Sequence, residues 1–231
     1  MAGDSYYILS SLKTPDDLGS TPPMTLTDFL DRVREIDGNT VLIETIFLRD
    51  DLLQRQAYLS GELEDFDPVI LSEAQIKGEE PLPDYLNAQA TEDDLQSPAD
   101  LLWANYYQHA FDVANGSSGS DFLKKWIAFE IGLRNALVLA RAKSLGLDSH
   151  SYMVVDDIGS AKNEFDSLVT EWSSASDPLE GLRVLDRGRW RWINQNDDWF
   201  GFSDDELAAY AAKLILLKRW KRLSGQISWN I

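Results

Sequence analysis

The sequence predicts an all-α fold, a helical bundle of antiparallel helix pairs, elongated or two-lobed, and three observations predict it. Apolar residues recur at three-and-four spacing in one segment after another. Helix-capping residues, first-turn prolines and closing glycines bracket those segments. No run of alternating β-branched residues, the mark of a half-buried strand, rivals them.

The elements follow in order. The stretch SYYILSSL reads as a strand or the first turns of a helix, and TPDDLGSTPP as a loop punctuated by Pro and Gly. MTLTDFLDRVREI opens a helix with Thr25 or Thr27 as N-cap and Asp28 and Asp31 near its positive end. Its residues Leu26, Phe29, Leu30, Val33 and Ile36 share a face. A second helix runs from about Thr40 to Leu59 and closes near Gly61, so the two form a hairpin over residues 1–60. Residues 61–97 read as an acidic, loop-rich connector or excursion, broken by Pro68, Gly78, Pro81 and Pro83.

From residue 98 to 231 helical signal dominates. Ser97 is an N-cap, Pro98 a first helical residue, and Asp100 lies in the first turn. After the joint GSSGS, a helix is expected from about Asp121 to Leu145, ended by Gly146. SHSYMVVDDIGS holds a short extended piece, and further helices are expected over 160–174, 178–196 and 203–223. The last opens on a capping box, Ser203 with Glu206, and closes on LKRWKRLSG with Gly225 just beyond. No fixed-period repeat appears.

Composition narrows the function. The 231 residues carry a formal net charge of −18, which argues against general affinity for nucleic acid or anionic lipid. The charge is unevenly spread: residues 61–100 hold twelve acids against Lys77 alone, whereas from Asp186 onward eight Arg or Lys face six acids. With no cysteine, disulfides, zinc–thiolate sites and thiol nucleophiles are excluded, in keeping with a reducing compartment. The opening MAGDSYYILSSLKTPDD has no signal-peptide pattern, and the longest apolar runs fall short of the ~20 residues of a bilayer span. A cytoplasmic protein is expected.

The chemistry-bearing residues are few. Glu130 and Arg134 sit in the middle of WIAFEIGLRNALVLARAKSLG, a helix apolar almost all round, and read as a half-buried structural ion pair that fixes register. Paired acids recur (Asp16–Asp17, Asp50–Asp51, Asp93–Asp94, Asp156–Asp157, Asp197–Asp198, Asp204–Asp205), and solvated caps fit them better than a magnesium-holding face. His109 and His150 lack companions at ligand spacing, and no nucleophile elbow or phosphate-cradling glycine motif is present. No catalytic, cofactor-binding or metal residue is therefore expected. DRGRWRWINQNDDWF interleaves Arg187, Arg189 and Arg191 with Trp190 and Trp192. The first reading is Trp in the core under snorkelling Arg stems; the second is a partner-docking patch of Arg187, Arg189, Trp190 and Arg191. Lys218, Arg219, Lys221 and Arg222 form a second docking candidate.

Two stretches carry a resemblance. FEIGLRNALVLARAKSLG, with an acid, then Leu-Arg, then an Ala-rich helix ending Ala-Lys-x-x-Gly, resembles helices of the C subunit of archaeal-type and vacuolar-type rotary ATPases. YYILSSL, a proline loop and LTDFLDRV look like a bacterial family of unknown function that accompanies vacuolar-type ATPase subunits and is related to the C subunit. The resemblance implies an all-helical, non-catalytic socket joining the rotor shaft to the proteolipid ring, with room here for two helical units rather than three. Its partners would be other ATPase subunits, through which it would sit on the inner face of the cell membrane, with no cofactor. The alternative is an acidic helical adaptor, unrelated to the ATPase, that binds a basic partner through residues 61–100.

Overall fold

The computed structural model describes residues 9–87, 97–116, 119–147, 152–155, 158–159, 162–198 and 201–227. Helix α1 (Leu26–Glu35) starts where Thr25 accepts a hydrogen bond from the Asp28 amide, 3.0 Å. Asn39 caps α2 (Thr40–Leu59). The acidic stretch folds into a short helix, α3 (Glu73–Lys77), and a 3₁₀ turn, Asp84–Leu86. Helices α4 (Pro98–Asn115) and α5 (Asp121–Leu145) begin at Ser97 and Ser120, whose side chains accept from amides three residues on. Gly146 closes α5 in the left-handed region, φ 68°, where a side chain would be strained. A 3₁₀ turn (Lys162–Phe165) leads into α6 (Asp166–Ser173), followed by α7 (Pro178–Asn196) and α8 (Asp204–Ile227). No strand occurs among the described residues, and the fold is all-α.

Three of these predicted elements end differently. Residues 9–11 are helical, which settles the first ambiguity for the described part of SYYILSSL. Helix α8 continues to Ile227, so Gly225 lies within it rather than beyond it. The helix expected over 160–174 is split into the 3₁₀ turn and α6.

The core is organised around α8. From Glu206 to Leu217 every side chain of this helix is buried, because α8 packs on α2, α5 and α7 at once and also meets α1. One apolar cluster therefore runs from Leu26 on α1 to Leu216 on α8, and the described residues share one core instead of two lobes. Phe29 stacks on Tyr210 at 5.1 Å, and the Tyr210 hydroxyl donates to the carbonyl of Lys13 at 2.9 Å, fixing the N-terminal loop. Helix α7 meets α5 through aromatic rings: Trp192 lies 4.9 Å from Phe129 and 5.4 Å from Trp126. Gly188 lets α6 come close, since a Cβ there would meet Leu168 Cδ2 at 2.6 Å.

Residues 61–87 are no free connector. Leu63, Leu71, Ile76, Leu82 and Leu86 are buried, and Arg55 on α2 donates to the Gln75 carbonyl at 2.9 Å. The expected extended piece is a non-helical segment, Met153–Val155, in which Val155 has φ 42°, and a buried side chain holds it: Asn135 on α5 donates to the Val154 carbonyl (2.9 Å) and accepts its amide (3.1 Å).

Candidate functional site

Charged side chains from four helices meet inside the core. Glu130 of α5 is 1% exposed, in a place where an unpaired carboxylate would be costly. It takes Arg49 Nη2 of α2 at 2.8 Å and Arg189 of α7 through Nε (2.7 Å) and Nη2 (3.2 Å). Arg189 also donates to Asp186, one turn earlier, at 3.2 Å. Asp186 in turn accepts Arg219 of α8 through Nε (3.0 Å) and Nη2, and the Trp220 indole N–H at 3.1 Å. Burial alone would push the Glu130 carboxyl up, yet the charges of Arg189 and Arg49 outweigh it and hold it at about 2. Burial pulls the Arg219 guanidinium down against the charge of Asp186. A carboxylate held that low stays anionic across the physiological range and has no proton to exchange near neutrality. The network braces helices.

The predicted pair Glu130–Arg134 does not form. Arg134 instead reaches Asp100, in the first turn of α4, at 2.6 Å, and lies 5.7 Å from the Trp103 ring. Four-residue spacing puts both side chains on one side of α5, but a fully buried carboxylate needs more donors than one neighbour supplies. Arg49 and Arg189 supply three hydrogen bonds from two other helices.

The docking candidates separate into four groups. Arg189 and Arg219 are buried, 8% and 7% exposed, and belong to the internal network rather than to a surface. Arg187 bridges Glu180 (2.8 Å) and Glu171 (3.6 Å), tying α7 to α6, and Trp190 is half-buried beside Thr14, Asp16 and Lys213. Lys218 meets Asp67 (3.3 Å) and Asp50 (3.6 Å), with Arg222 3.9 Å from Asp50. The chain's own acids thus hold part of its basic end. Of these candidates, only Arg191 and Lys221 are both exposed and outside the ion pairs of the described residues.

The acidic pairs have local work. Asp51, fully buried on α2, accepts the amides of Val69, Ile70 and Leu71 at 3.1, 2.6 and 2.8 Å. Asp205, in the first turn of α8, accepts Ser120 Oγ (2.5 Å) and the Phe122 amide (3.2 Å), so one carboxylate serves the positive ends of two helices. Asp197 bonds Lys213 at 2.6 Å. Among the described residues no group of three His, Asp or Glu side chains is arranged to hold a metal ion. His109 stacks on Tyr85 at 4.1 Å, and burial lowers its pKa. Asp93–Asp94, Asp156–Asp157 and His150 lie outside the described residues.

Asp51 makes a pH prediction. Burial raises its carboxyl to about 6 from 3.8, against the opposing amides and with Asp50 adding to the rise. The folded chain then binds a proton more readily than the unfolded chain, so this group's contribution is complete below pH 3.8 and is lost as pH rises through about 6. The stability of the wild-type chain relative to Asp51→Asn should fall between pH 4 and pH 6, as read by urea unfolding at each pH. A constant difference across that window would refute the assignment.

The links of Arg49 to Glu130 and of Arg219 to Asp186 carry no signal in the sequence beyond residue type, because the partners are 81 and 33 positions apart. The sole hint was that Asp50–Asp51 fell inside a helix otherwise rich in apolar residues.

Among the described residues no helix is long and apolar enough to cross a membrane. A family model described as a protein of unknown function (DUF2764) matches residues 62–170, somewhat under half of the chain. That span contains α5 but not the N-terminal stretches around Tyr6 and Leu26. Comparison with curated proteins and with solved structures gives no match.

Proposed function

We propose that this chain is a non-catalytic, C-subunit-like coupling component of a bacterial vacuolar-type rotary ATPase, linking the rotor shaft to the membrane ring. The observation that carries this reading is the buried network of Arg49, Glu130, Asp186, Arg189 and Arg219. It joins α2, α5, α7 and α8 through paired charges, an arrangement suited to keeping one shape while torque passes through the body. Buried ionic networks contribute specificity of arrangement more than net stability. The all-α fold and the likeness of α5 to C-subunit helices support the same reading. In it, the chain lies on the cytoplasmic face of the membrane, held by protein partners, and takes part in ion transport without reacting with a substrate.

Deleting the protein should leave ATP hydrolysis measurable while ion pumping by membrane vesicles is lost. Unchanged coupling without the protein would overturn the proposal. Tagged chain drawn from gently solubilised membranes should bring down shaft and ring subunits in fixed ratio. The charge reversals Arg191→Glu and Lys221→Glu should reduce that recovery, since of the basic docking candidates these two are exposed and hold no ion pair within the chain.

A further inference from the structure

Beside the internal network, a cleft of about 420 Å³ opens between α2, α4 and α5. In a chain of net charge −18, its walls hold four guanidinium groups, Arg49, Arg134, Arg141 and Arg189, against the carboxylates Asp100 and Glu130. Glu130 is taken by Arg49 and Arg189, and Asp100 by Arg134. Donors remain after those pairings. Arg49, whose side chain is 6% exposed, keeps a buried Nε–H with no acceptor, and so does Arg134. Arg141 contacts the Trp172 ring at 5.2 Å and makes no ion pair with the carboxylates of the cleft. Buried donors without acceptors are rare in folded proteins. Two on one cleft, with a third guanidinium alongside, form a place built for an oxyanion. Leu53, Leu137 and Val138 give the wall an apolar stretch beside Gln56 and Tyr107, and exposed Leu145 and Leu147 flank it. Concave, largely apolar sites of this size with a few convergent polar groups are typical of small-molecule binding.

We propose that this cleft binds a small organic oxyanion, a carboxylate or phosphate monoester on an apolar body, with Arg134 and Arg141 meeting the charged head and Leu53, Leu137 and Val138 lining the body. This role is separate from coupling and does not depend on it.

Calorimetric titration of the full chain tests it with octanoate, octyl phosphate, octanol and inorganic phosphate as probes. Octanoate and octyl phosphate should each bind at one saturable site, with octanol and inorganic phosphate at least about tenfold weaker. Arg141→Gln, which alters an exposed residue outside the internal network, should weaken octanoate about tenfold or more. Val138→Asp, which puts a carboxylate into the cleft, should abolish binding, while Lys125→Gln, an exposed cation near the other end of α5, should leave it unchanged. Equal binding of octanol and octanoate would overturn the proposal, as would equal binding of inorganic phosphate and octyl phosphate. An Arg141→Gln chain that binds octanoate like wild type, or an equal loss in Lys125→Gln, would also overturn it.

Discussion

Replacing Glu130 by alanine is expected to destabilise this protein by about 3–5 kcal/mol, the cost of breaking a buried ionic network by removing one partner. The substitution removes the acceptor of three hydrogen bonds and leaves Arg49 and Arg189 buried with one charge partner fewer. Arg189 retains Asp186, but Arg49 has no other carboxylate among its ion pairs. For a domain of this length, the loss corresponds to a fall in melting temperature of roughly 6–20 °C. Scanning calorimetry of wild type and Glu130→Ala reads it directly. A companion variant isolates the cause: Arg134→Ala, which leaves Glu130 fully paired, should cost far less. If the two variants melt together, the network is not what holds Glu130 in place.

Asp51→Ala should act more locally, and its signature lies in exchange as much as in the melting curve. The carboxylate is the acceptor for three consecutive amides, and each buried donor left without one costs about 1–3 kcal/mol. Part of that cost can be relieved by letting the segment move toward water, so a net loss of about 2–4 kcal/mol is expected. Hydrogen exchange should accelerate at Val69, Ile70 and Leu71 and across α3, well before α5 or α8 responds. Limited proteolysis should cut first between residues 62 and 72. Wild-type exchange at those three amides would show that Asp51 does not anchor the segment. Asp51→Asn keeps one acceptor oxygen and should fall between the two chains.

The sequence determined the helices. Capping residues and periodic apolar positions are local signals, decided within a few residues, and Thr25, Ser97 and Gly146 stand where such signals place them. It also marked the part of α5 around Glu130 for the interior, since a helical stretch apolar on every side is buried. Tertiary structure decided the partners. Glu130 and Arg134 are four residues apart, yet each is paired with side chains from other helices, because a buried charge is satisfied by whatever converges on it in space. Residues 61–87 read as acidic and broken, yet Asp51, Gln54 and Arg55, all on α2, fasten them down. The basic residues near the end of the chain formed a surface patch in one dimension. In three, α8 became the centre of the bundle, taking Arg219 inside and setting Lys218 beside Asp50 and Asp67, because one helix packed against α2, α5 and α7 has almost no face left for solvent.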